Sequence, residues 1–269
     1  MTSSFRFGLR NPRPVGTLHW SNLRLAFGLQ RTAPPPFAVD YLKYLPRSLG
    51  MMLNDQAGDC FWAAQYHGRQ LRTLMTTGVM DSQPDAVVGH SYSAGAGWDG
   101  TPGDASDRGT DAGEGFAWIT KNGLPLSDGR FATLRAAIEV DPRHPEDCVD
   151  AMDVCGGLCV GMQLPQRIVA GGSIPKVWDW ESGDIFADEG HEVLVGAMDS
   201  QLVSPIGFVS WGDPGYTMTE GFWNRCVNQV TAVVYDDWFK AGTQRSPLGM
   251  TEEQLVAELA RYGSGGGIP

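Results

Sequence analysis

The stretch Asn54-Asp-Gln-Ala-Gly-Asp-Cys60-Phe-Trp-Ala-Ala64 places a cysteine where a polar, glycine-containing loop runs into a helix. From Cys60 onwards apolar residues recur at helical spacing, so we predict a helix over residues 59–77 with Asp59 as its N-cap. A thiol in the first turn of a helix lies near the positive end of the helix dipole, which favours the thiolate. We therefore expect Cys60 to be a nucleophile; a buried, inert cysteine is the alternative.

A nucleophilic cysteine needs a base within hydrogen-bond reach, and His191 is the best candidate among the five histidines. His191 opens an apolar strand, which would hold its ring at the edge of a cleft. His67 lies on the same helix as Cys60 but two turns away, about 10 Å, which is too far for direct contact. Gln56, four residues before Cys60, offers an amide N–H to a developing oxyanion.

Length and composition indicate a globular protein of one large or two small domains. The chain has 269 residues, and 42% of them are hydrophobic. It has no run of about 18 apolar residues and no apolar segment at its start, so we expect neither a membrane span nor a secretory signal. Five cysteines are an odd number and do not suggest a disulfide framework. We expect synthesis in the cytoplasm and reduced thiols.

Charge divides the chain into a basic arm and an acidic body. Residues 1–48 contain seven basic residues and a single acidic one, Asp40, whereas the whole chain has a net charge of −11. An acidic body argues against nucleic acid as a partner. We expect the proline-rich arm to contact protein, either its own domain or a neighbouring copy.

The pattern of elements predicts an α+β fold with a helical first half and a β-rich, antiparallel second half. We divide the chain into a basic arm (1–48), a central domain (49–240) and a C-terminal helix with a glycine-rich tail (241–269). The helix is predicted from a capping box that starts at Thr251. Other predicted features are a binding loop over 89–110, helices over 111–121 and 145–156, and strands over 158–164, 191–197, 206–211 and 231–235.

Several motifs, taken in order, resemble the papain-like cysteine peptidases over about residues 45–240. That family has a Gln before the Cys, a Gly-His-Ala-Val strand and a strand that ends in Asn-Ser-Trp-Gly. The matching segments here are Gln56…Cys60, Gly190-His-Glu-Val193 and Val209-Ser-Trp-Gly212. Two intervening segments are also similar, Gly157-Leu-Cys-Val160 and the aromatic run from Trp178 to Phe186. The resemblance implies a two-lobe papain-like fold.

The resemblance also implies roles for individual residues. Cys60 would be the nucleophile, His191 the general base and acid, and Gln56 part of the oxyanion hole. Trp211 would shield the histidine from water. Glycines of the predicted loop, among them Gly103 and Gly109, would let a peptide substrate approach closely.

Three departures from the family pattern bear on activity. Gln56 precedes the cysteine by four residues rather than six. Val209 stands where the family has the Asn that orients the imidazole, and valine cannot accept its N–H; Ser210 and Asp199 are the candidate substitutes. Asp59 places a negative charge beside the thiol, which opposes thiolate formation.

A narrower resemblance is to uncharacterised phage-encoded proteins of this fold, carried by Asn-Asp-Gln-x-Gly-Asp-Cys and the late strand Ala232-Val-Val234. It implies a place in the virion. Two main functions therefore remain open: a thiol hydrolase of peptide or amide bonds, and a noncatalytic virion protein whose arm contacts neighbouring subunits. A third reading makes the arm an inhibitory pro-segment. We expect no cofactor and no metal, because Cys155 and Cys159 are only half of a zinc site.

Overall fold

The computed structural model describes residues 7–10, 19–20, 36–170, 173–239, 251 and 253–254. The predicted C-terminal helix lies outside these residues except for its capping box. There the amide of Gln254 donates to Thr251 Oγ1 over 3.1 Å and the Thr251 amide donates to Gln254 Oε1 over 2.9 Å. This reciprocal pairing is the one that the sequence predicts for a helix start.

Three long helices precede most of the strands. The helices are α1 (Cys60–Thr77), α2 (Asp85–Ala96), α3 (Ala112–Asn122), α4 (Pro145–Cys155), α5 (Gln166–Ala170) and α6 (Glu220–Cys226). The strands are β1 (Leu9–Arg10), β2 (Ala38–Asp40), β3 (Thr110–Asp111), β4 (Leu124–Pro125), β5 (Phe131–Ala132), β6 (Leu134–Glu139), β7 (Leu158–Pro165), β8 (Val177–Trp178), β9 (Phe186–Asp199), β10 (Ile206–Ser210), β11 (Asp213–Met218) and β12 (Val227–Tyr235). None of these helices is both long and apolar enough to cross a membrane.

One large sheet forms the second half of the protein. Its main path runs β6-β12-β7-β9-β10-β11-β8, and β1 and β2 also pair with β9. The long strand β9 is the hub, antiparallel to β7 on one side and to β10 on the other. Side chains alternate along a strand, so consecutive residues of β9 face opposite sides of the sheet.

Helix α1 is the element that joins the helical half to the sheet. Nearly all of its side chains are buried, among them Phe61, Trp62 and Leu71. Each such side chain contributes roughly 1.5–3 kcal/mol when fully buried. The helix begins at Cys60 and ends at Gly78, whose positive φ of 77° suits a glycine at a helix end. The predicted boundaries of this helix are confirmed to within one residue.

The predicted loop over 89–110 is wrong in its first part, which is helix α2. Pro84 and Asp85 begin the helix, and Gly97 ends it in the left-handed conformation. A Cβ at Gly95 would lie 2.3 Å from the Trp62 ring. The glycines that suggested a loop instead allow α2 to pack closely against α1, and only residues 97–109 form the loop.

Part of the predicted N-terminal arm belongs to the sheet. Strand β2 pairs with the end of β9, with Ala38 opposite Asp199. Leu42 follows in a short 3₁₀ turn and is buried. Strand pairing and the burial of Val39 and Leu42 attach residues 38–44 to the sheet. The domain boundaries at residues 48 and 240 stay predictions.

Candidate active site

The Cys60 thiol lies at the N-terminus of α1 and is almost completely buried, with 1% of the residue exposed. The backbone amide of Glu192 donates to its sulfur over 3.4 Å, and the amide of Gly8 makes a second hydrogen bond to it. Burial is the largest influence and raises the pKa of the thiol to about 12. The expectation of a thiolate is therefore wrong for this closed state of the protein. Burial raises the pKa of the thiol by more than the helix N-terminus lowers it.

Asp59 does not cap the helix through its side chain. It occupies the N-cap position, but its fully buried carboxyl accepts a hydrogen bond from Asn54 Nδ2 over 3.1 Å instead. Burial raises the pKa of Asp59 well above its ordinary value. A charge on Asp59 would raise the pKa of the Cys60 thiol, as expected from its position in the sequence.

The imidazole of His191 is held on two sides. Its Nε2 lies 2.8 Å from Ser210 Oγ, and its ring stacks on Trp211 with centroids 4.8 Å apart and planes 19° apart. The residue is 1% exposed, and burial lowers its pKa to about 3, which favours the neutral ring. The structure thus brings together His191, Ser210 and Trp211 as the sequence predicted.

Cys60 and His191 are close, but no hydrogen bond joins them. Because Glu192 follows His191 directly, the sulfur lies within about 6 Å of the His191 Cα. The Nδ1 atom of His191 has no hydrogen-bond partner in the part of the chain that the structure describes. The sulfur accepts hydrogen bonds from the Gly8 and Glu192 amides, whereas His191 Nδ1 has no partner among the described residues.

Residues 7–10, from the start of the chain, lie in the groove between the two halves, which we call the cleft. Leu9 pairs with Thr110 of β3 on the helical side and with Gly190 of β9 on the sheet side. The Phe7 ring makes edge contacts with His191 at 5.4 Å and with Trp211 at 5.5 Å between centroids. Together with the Gly8 amide on the sulfur, these contacts show that the chain covers its own thiol and imidazole.

Ser210, not Asp199, contacts the imidazole. Asp199 lies eight residues beyond His191 along β9, about 26 Å away. Its carboxylate accepts hydrogen bonds from the backbone amides of residues 201, 203 and 204 and so stabilises the turn after β9. Asp199 as the orienting residue is therefore wrong.

The other predicted residues lie around the cleft in different settings. Gln56 is exposed, and its backbone amide donates to Leu53 within the loop before α1. Gly109 contacts the backbone of Gly8 in the cleft. Gly103 is exposed in the same loop, where its amide donates to Asp107 over 2.9 Å. The oxyanion role of Gln56 stays a prediction.

Sequence reasoning missed Glu192, which follows the histidine in the buried middle part of β9. The residue is 2% exposed, and neither carboxyl oxygen has a hydrogen-bond partner within the described residues. Burial raises its pKa to about 8. A charge there would raise the pKa values of the Cys60 and Cys159 thiols. The signal available in the sequence was a lone acidic residue inside a buried strand.

Strained backbone is concentrated next to this site. Trp211 has a φ of 48°, and Met52 and Leu53, in the loop before α1, have φ values of 54° and 68°. Such conformations are uncommon for residues other than glycine and occur often at functional sites. The two strained segments are tied together, because the Leu49 amide donates to the Gly212 carbonyl over 2.7 Å.

The structure resembles several solved cysteine proteases. Xylellain, a cysteine protease from Xylella fastidiosa, matches with a TM-score of 0.58 and 14% identity over 87% of this chain and 97% of that chain. Digestive procathepsin L 3 of the Tenebrio molitor larval midgut matches at 0.52 and 12%, over 87% and 76%. A chain from a structure of the mite allergens Blo t 1 and Der p 1 matches at 0.51 and 12%, over 77% and 73%.

No protein-family profile and no curated protein sequence matches the chain. At the identities found, the structural similarity establishes the fold alone. The α+β, two-lobe fold of the papain-like cysteine proteases is confirmed. The phage resemblance has no support in these comparisons. Within the described part of the chain no three His, Cys, Asp or Glu residues are grouped as a metal site.

Proposed function

We propose that the protein is a thiol hydrolase of peptide or other amide bonds, with Cys60 as nucleophile and His191 as base. The observation that carries the proposal is the contact between the Cys60 sulfur and the amide that follows His191, within a papain-like fold. The contact supports the proposal because it brings the sulfur within about 6 Å of the His191 Cα. Covalent catalysis requires nucleophile and base within hydrogen-bond reach, and the separation is often larger in the absence of substrate.

The reaction would proceed through an acyl-enzyme. The Cys60 sulfur bonds to the substrate carbonyl carbon while its proton passes to His191 Nδ1. The C–N bond then breaks, and the imidazolium gives that proton to the leaving amine. Water attacks the thioester with His191 as base, which releases the acid and restores the thiol. The Cys60 backbone N–H and the Gln56 amide are the candidates for stabilising the oxyanion.

Ser210 takes the place of the missing asparagine in this proposal. A hydroxyl oxygen accepts a hydrogen bond, so Ser210 Oγ would accept one from His191 Nε2–H and leave Nδ1 free to act as base. Trp211 covers one face of the ring and keeps water from it. Ser210 thereby fixes the tautomer that the reaction needs.

Residues 7–10 must leave the cleft before this reaction begins. In the closed state the thiol is buried, protonated and hydrogen-bonded to the Gly8 amide. Removal of Gly8 would free the sulfur to turn towards Nδ1 and would return water to the cleft, which lowers the thiol pKa. The position of residues 7–10 supports the pro-segment reading of the arm.

Thiol labelling tests the proposal in a full-length variant with an opened cleft, Leu9→Asp, because a charge at the buried position 9 releases residues 7–10 from Cys60. The protein is treated with an electrophilic epoxide peptide and with iodoacetamide, and adducts are located by mass spectrometry. We expect the epoxide adduct at Cys60, and its loss together with hydrolysis of fluorogenic peptides in His191→Ala. The four other buried cysteines, 148, 155, 159 and 226, serve as internal controls. Labelling of Cys60 no faster than these four contradicts the proposal.

The second candidate is a noncatalytic protein that reuses the fold. The observation that favours it is the unpaired His191 Nδ1, together with valine at position 209. In this reading residues 7–10 fill the cleft permanently and the rest of the arm contacts neighbouring subunits. Assembly into a phage particle is part of this candidate. Epoxide labelling of Cys60 that is unaffected by His191→Ala supports this candidate.

A further inference from the structure

We propose that the cleft accepts only glycine at the residue that crosses Cys60, with an aromatic residue before it and an aliphatic residue after it. Residues 7–10 are the chain's own occupant of this peptide site. As a statement about substrates, the inference rests on the proposed hydrolase function. As a statement about which peptides bind, it rests on the geometry of the cleft alone.

The first wall of the site is the backbone of Gly58. A Cβ built on Gly8 would lie 1.7 Å from the Gly58 carbonyl oxygen, 2.1 Å from its carbon and 2.5 Å from its Cα. All three are backbone atoms, so no change of side-chain rotamer makes room. Alanine at position 8 therefore requires either the segment or the loop before α1 to move.

The second wall is the backbone of Gly109. Its φ is 71°, and a Cβ built there would lie 1.7 Å from the Gly8 carbonyl oxygen. Three backbone segments, at Gly58, Gly8 and Gly109, are therefore in direct contact because none of these residues has a Cβ. The Gly58 backbone therefore excludes a side chain on the central peptide residue, and the Gly109 contact requires glycine at position 109, because a side chain there would meet the peptide carbonyl.

Both walls are fixed by one hydrogen-bonded group. Asp107 Oδ1 accepts the Gly58 amide over 2.8 Å and the Tyr92 hydroxyl over 2.9 Å. The Tyr92 hydroxyl oxygen accepts the Gly109 amide over 2.8 Å. Movement of either wall away from a bulkier residue would break this group, so the selection is built into the site rather than into the occupant.

The neighbouring positions accept large side chains. Phe7 packs its ring against His191 and Trp211. Leu9 is 3% exposed and lies over Gly161, where a Cβ would come within 2.8 Å of the Leu9 Cδ2 atom. The site is therefore shaped for an aromatic–glycine–aliphatic sequence. The exposed ion pair of Arg10 with Glu114, 3.2 Å apart, adds little binding energy.

The first test compares Gly8→Ala with Gly221→Ala in the full-length chain. Gly221 is exposed on α6, and a Cβ built on it would lie 3.6 Å from the nearest atom, in ordinary contact, so its substitution is a matched control. We expect Gly8→Ala to raise the rate of iodoacetamide labelling at Cys60 about tenfold or more, because overpacking expels the segment. The control should label at the native rate. A native rate in Gly8→Ala overturns the proposal.

The second test opens the cleft by another route and asks which peptides fill it. Leu9→Asp places a charge at a buried position and releases the segment without a Cβ at residue 8. Acetylated Ser-Phe-Arg-Phe-Gly-Leu-Arg-Asn amide should protect Cys60 of this variant from iodoacetamide. The same peptide with alanine for glycine should not. Equal protection by both peptides, or protection by neither, overturns the proposal.

These readouts separate the inference from the proposed function. Thiol protection requires binding but no hydrolysis, so glycine selectivity can hold in a protein that cleaves nothing. Conversely, hydrolysis of glycine and alanine peptides at equal rates would retain the hydrolase and remove the selectivity. Each result therefore bears on one of the two statements by itself.

Discussion

Ionisable side chains are buried at both ends of helix α1, but only those at the C-terminal end are paired with an opposite charge. At the C-terminal end Arg69 and Arg72 are paired with Asp237, whose carboxylate accepts Arg72 Nε over 2.6 Å and Arg69 Nη1 over 3.0 Å. At the N-terminal end Cys60, His191 and Glu192 are buried without an opposite charge. One helix thus has a paired end and an unpaired end.

The paired end is a network with several cross-links. Arg69 also binds Asp81, and the Arg72 guanidinium lies over the Tyr235 ring, 4.4 Å from its centroid. The Thr76 hydroxyl donates to the Asp237 carbonyl over 3.1 Å. These contacts join α1 to the end of β12, to the residues that follow it and to the residues that precede α2. This end anchors the helix between the two halves.

The unpaired end keeps its groups neutral instead. Burial raises the pKa of Glu192 to about 8 and lowers that of His191 to about 3, so neither carries a full charge near pH 7. Buried groups of shifted pKa without an opposite charge beside them are more typical of functional sites than of structural networks. The same helix is therefore anchored by charge pairs at one end and lies beside buried neutral groups at the other, where we propose the reactive centre.

The largest expected effect comes from a substitution that disrupts the charge pairs at the paired end of α1. Asp237→Ala leaves Arg72 buried without its carboxylate, which should lower the free energy of unfolding by about 3–5 kcal/mol. Urea unfolding at pH 7 measures it. The matched control is Asp128→Ala, which breaks the exposed pair with Arg130 and should leave the midpoint unchanged. A loss at position 237 as small as at position 128 would mean that the network does not anchor α1.

The next effect concerns the unpaired end and depends on pH. The folded protein holds the Glu192 proton up to a pH of about 8, whereas an unfolded chain releases it near 4.5. The stability that this proton gives is complete below pH 4.5 and is lost as the pH rises towards 8. Glu192→Gln abolishes the loss, so its stability relative to the native chain should rise by about 3 kcal/mol between pH 5 and pH 8.

Urea unfolding at these two pH values checks the Glu192 prediction. The matched control is Glu220→Gln, an exposed position on α6, which should give no comparable change with pH. If the stability difference for Glu192→Gln is the same at both pH values, the carboxyl has found a partner or water in the folded protein. The contrast between the two ends of α1 would then be smaller than the structure indicates.

The smallest expected effect tests whether Ser210 orients the imidazole of His191. Ser210→Ala removes the hydrogen bond to His191 Nε2, which should lower kcat by about fivefold to tenfold while KM stays constant. Ser210→Thr keeps the hydroxyl and should restore most of the rate. The pH profile should change with the alanine variant, because the ring is then free to adopt the other tautomer. An unchanged kcat in Ser210→Ala would show that Trp211 alone orients the imidazole.

Local sequence patterns predicted helices and strands well where the apolar residues recurred at a clear helical or strand spacing. The helix from Cys60 and the strand around His191 were both expected, and the structure places both there. Strands β8 and β11 were missed, because Pro214 and Gly215 interrupt the alternation in β11 and β8 has only two residues. The helix α2 was missed because its glycines act in packing rather than in turns.

The identities of the candidate site residues were predictable from the sequence, but their contacts and protonation were not. Ser210 was one of two candidates for the imidazole, and only the register of β10 against β9 places it, rather than Val209, beside the ring. Val209 instead packs on the opposite face of the sheet with Leu194. The closure of the cleft by Gly8 had no local signal, since the two walls come from residues 50 and 101 positions later.

Sequence patterns were enough to predict the order of the chemical groups: a thiol at a helix start, an imidazole in a strand, and a hydroxyl and an indole at the end of the next strand. The expected strand start at His191 was wrong, because β9 begins at Phe186 and His191 lies inside it. Periodicity decides these placements because they depend on neighbours within a few residues. Tertiary structure alone decided that the thiol is protonated, that Glu192 retains a proton and that residues 7–10 fill the cleft. These depend on desolvation and backbone packing between distant segments, which no local pattern records.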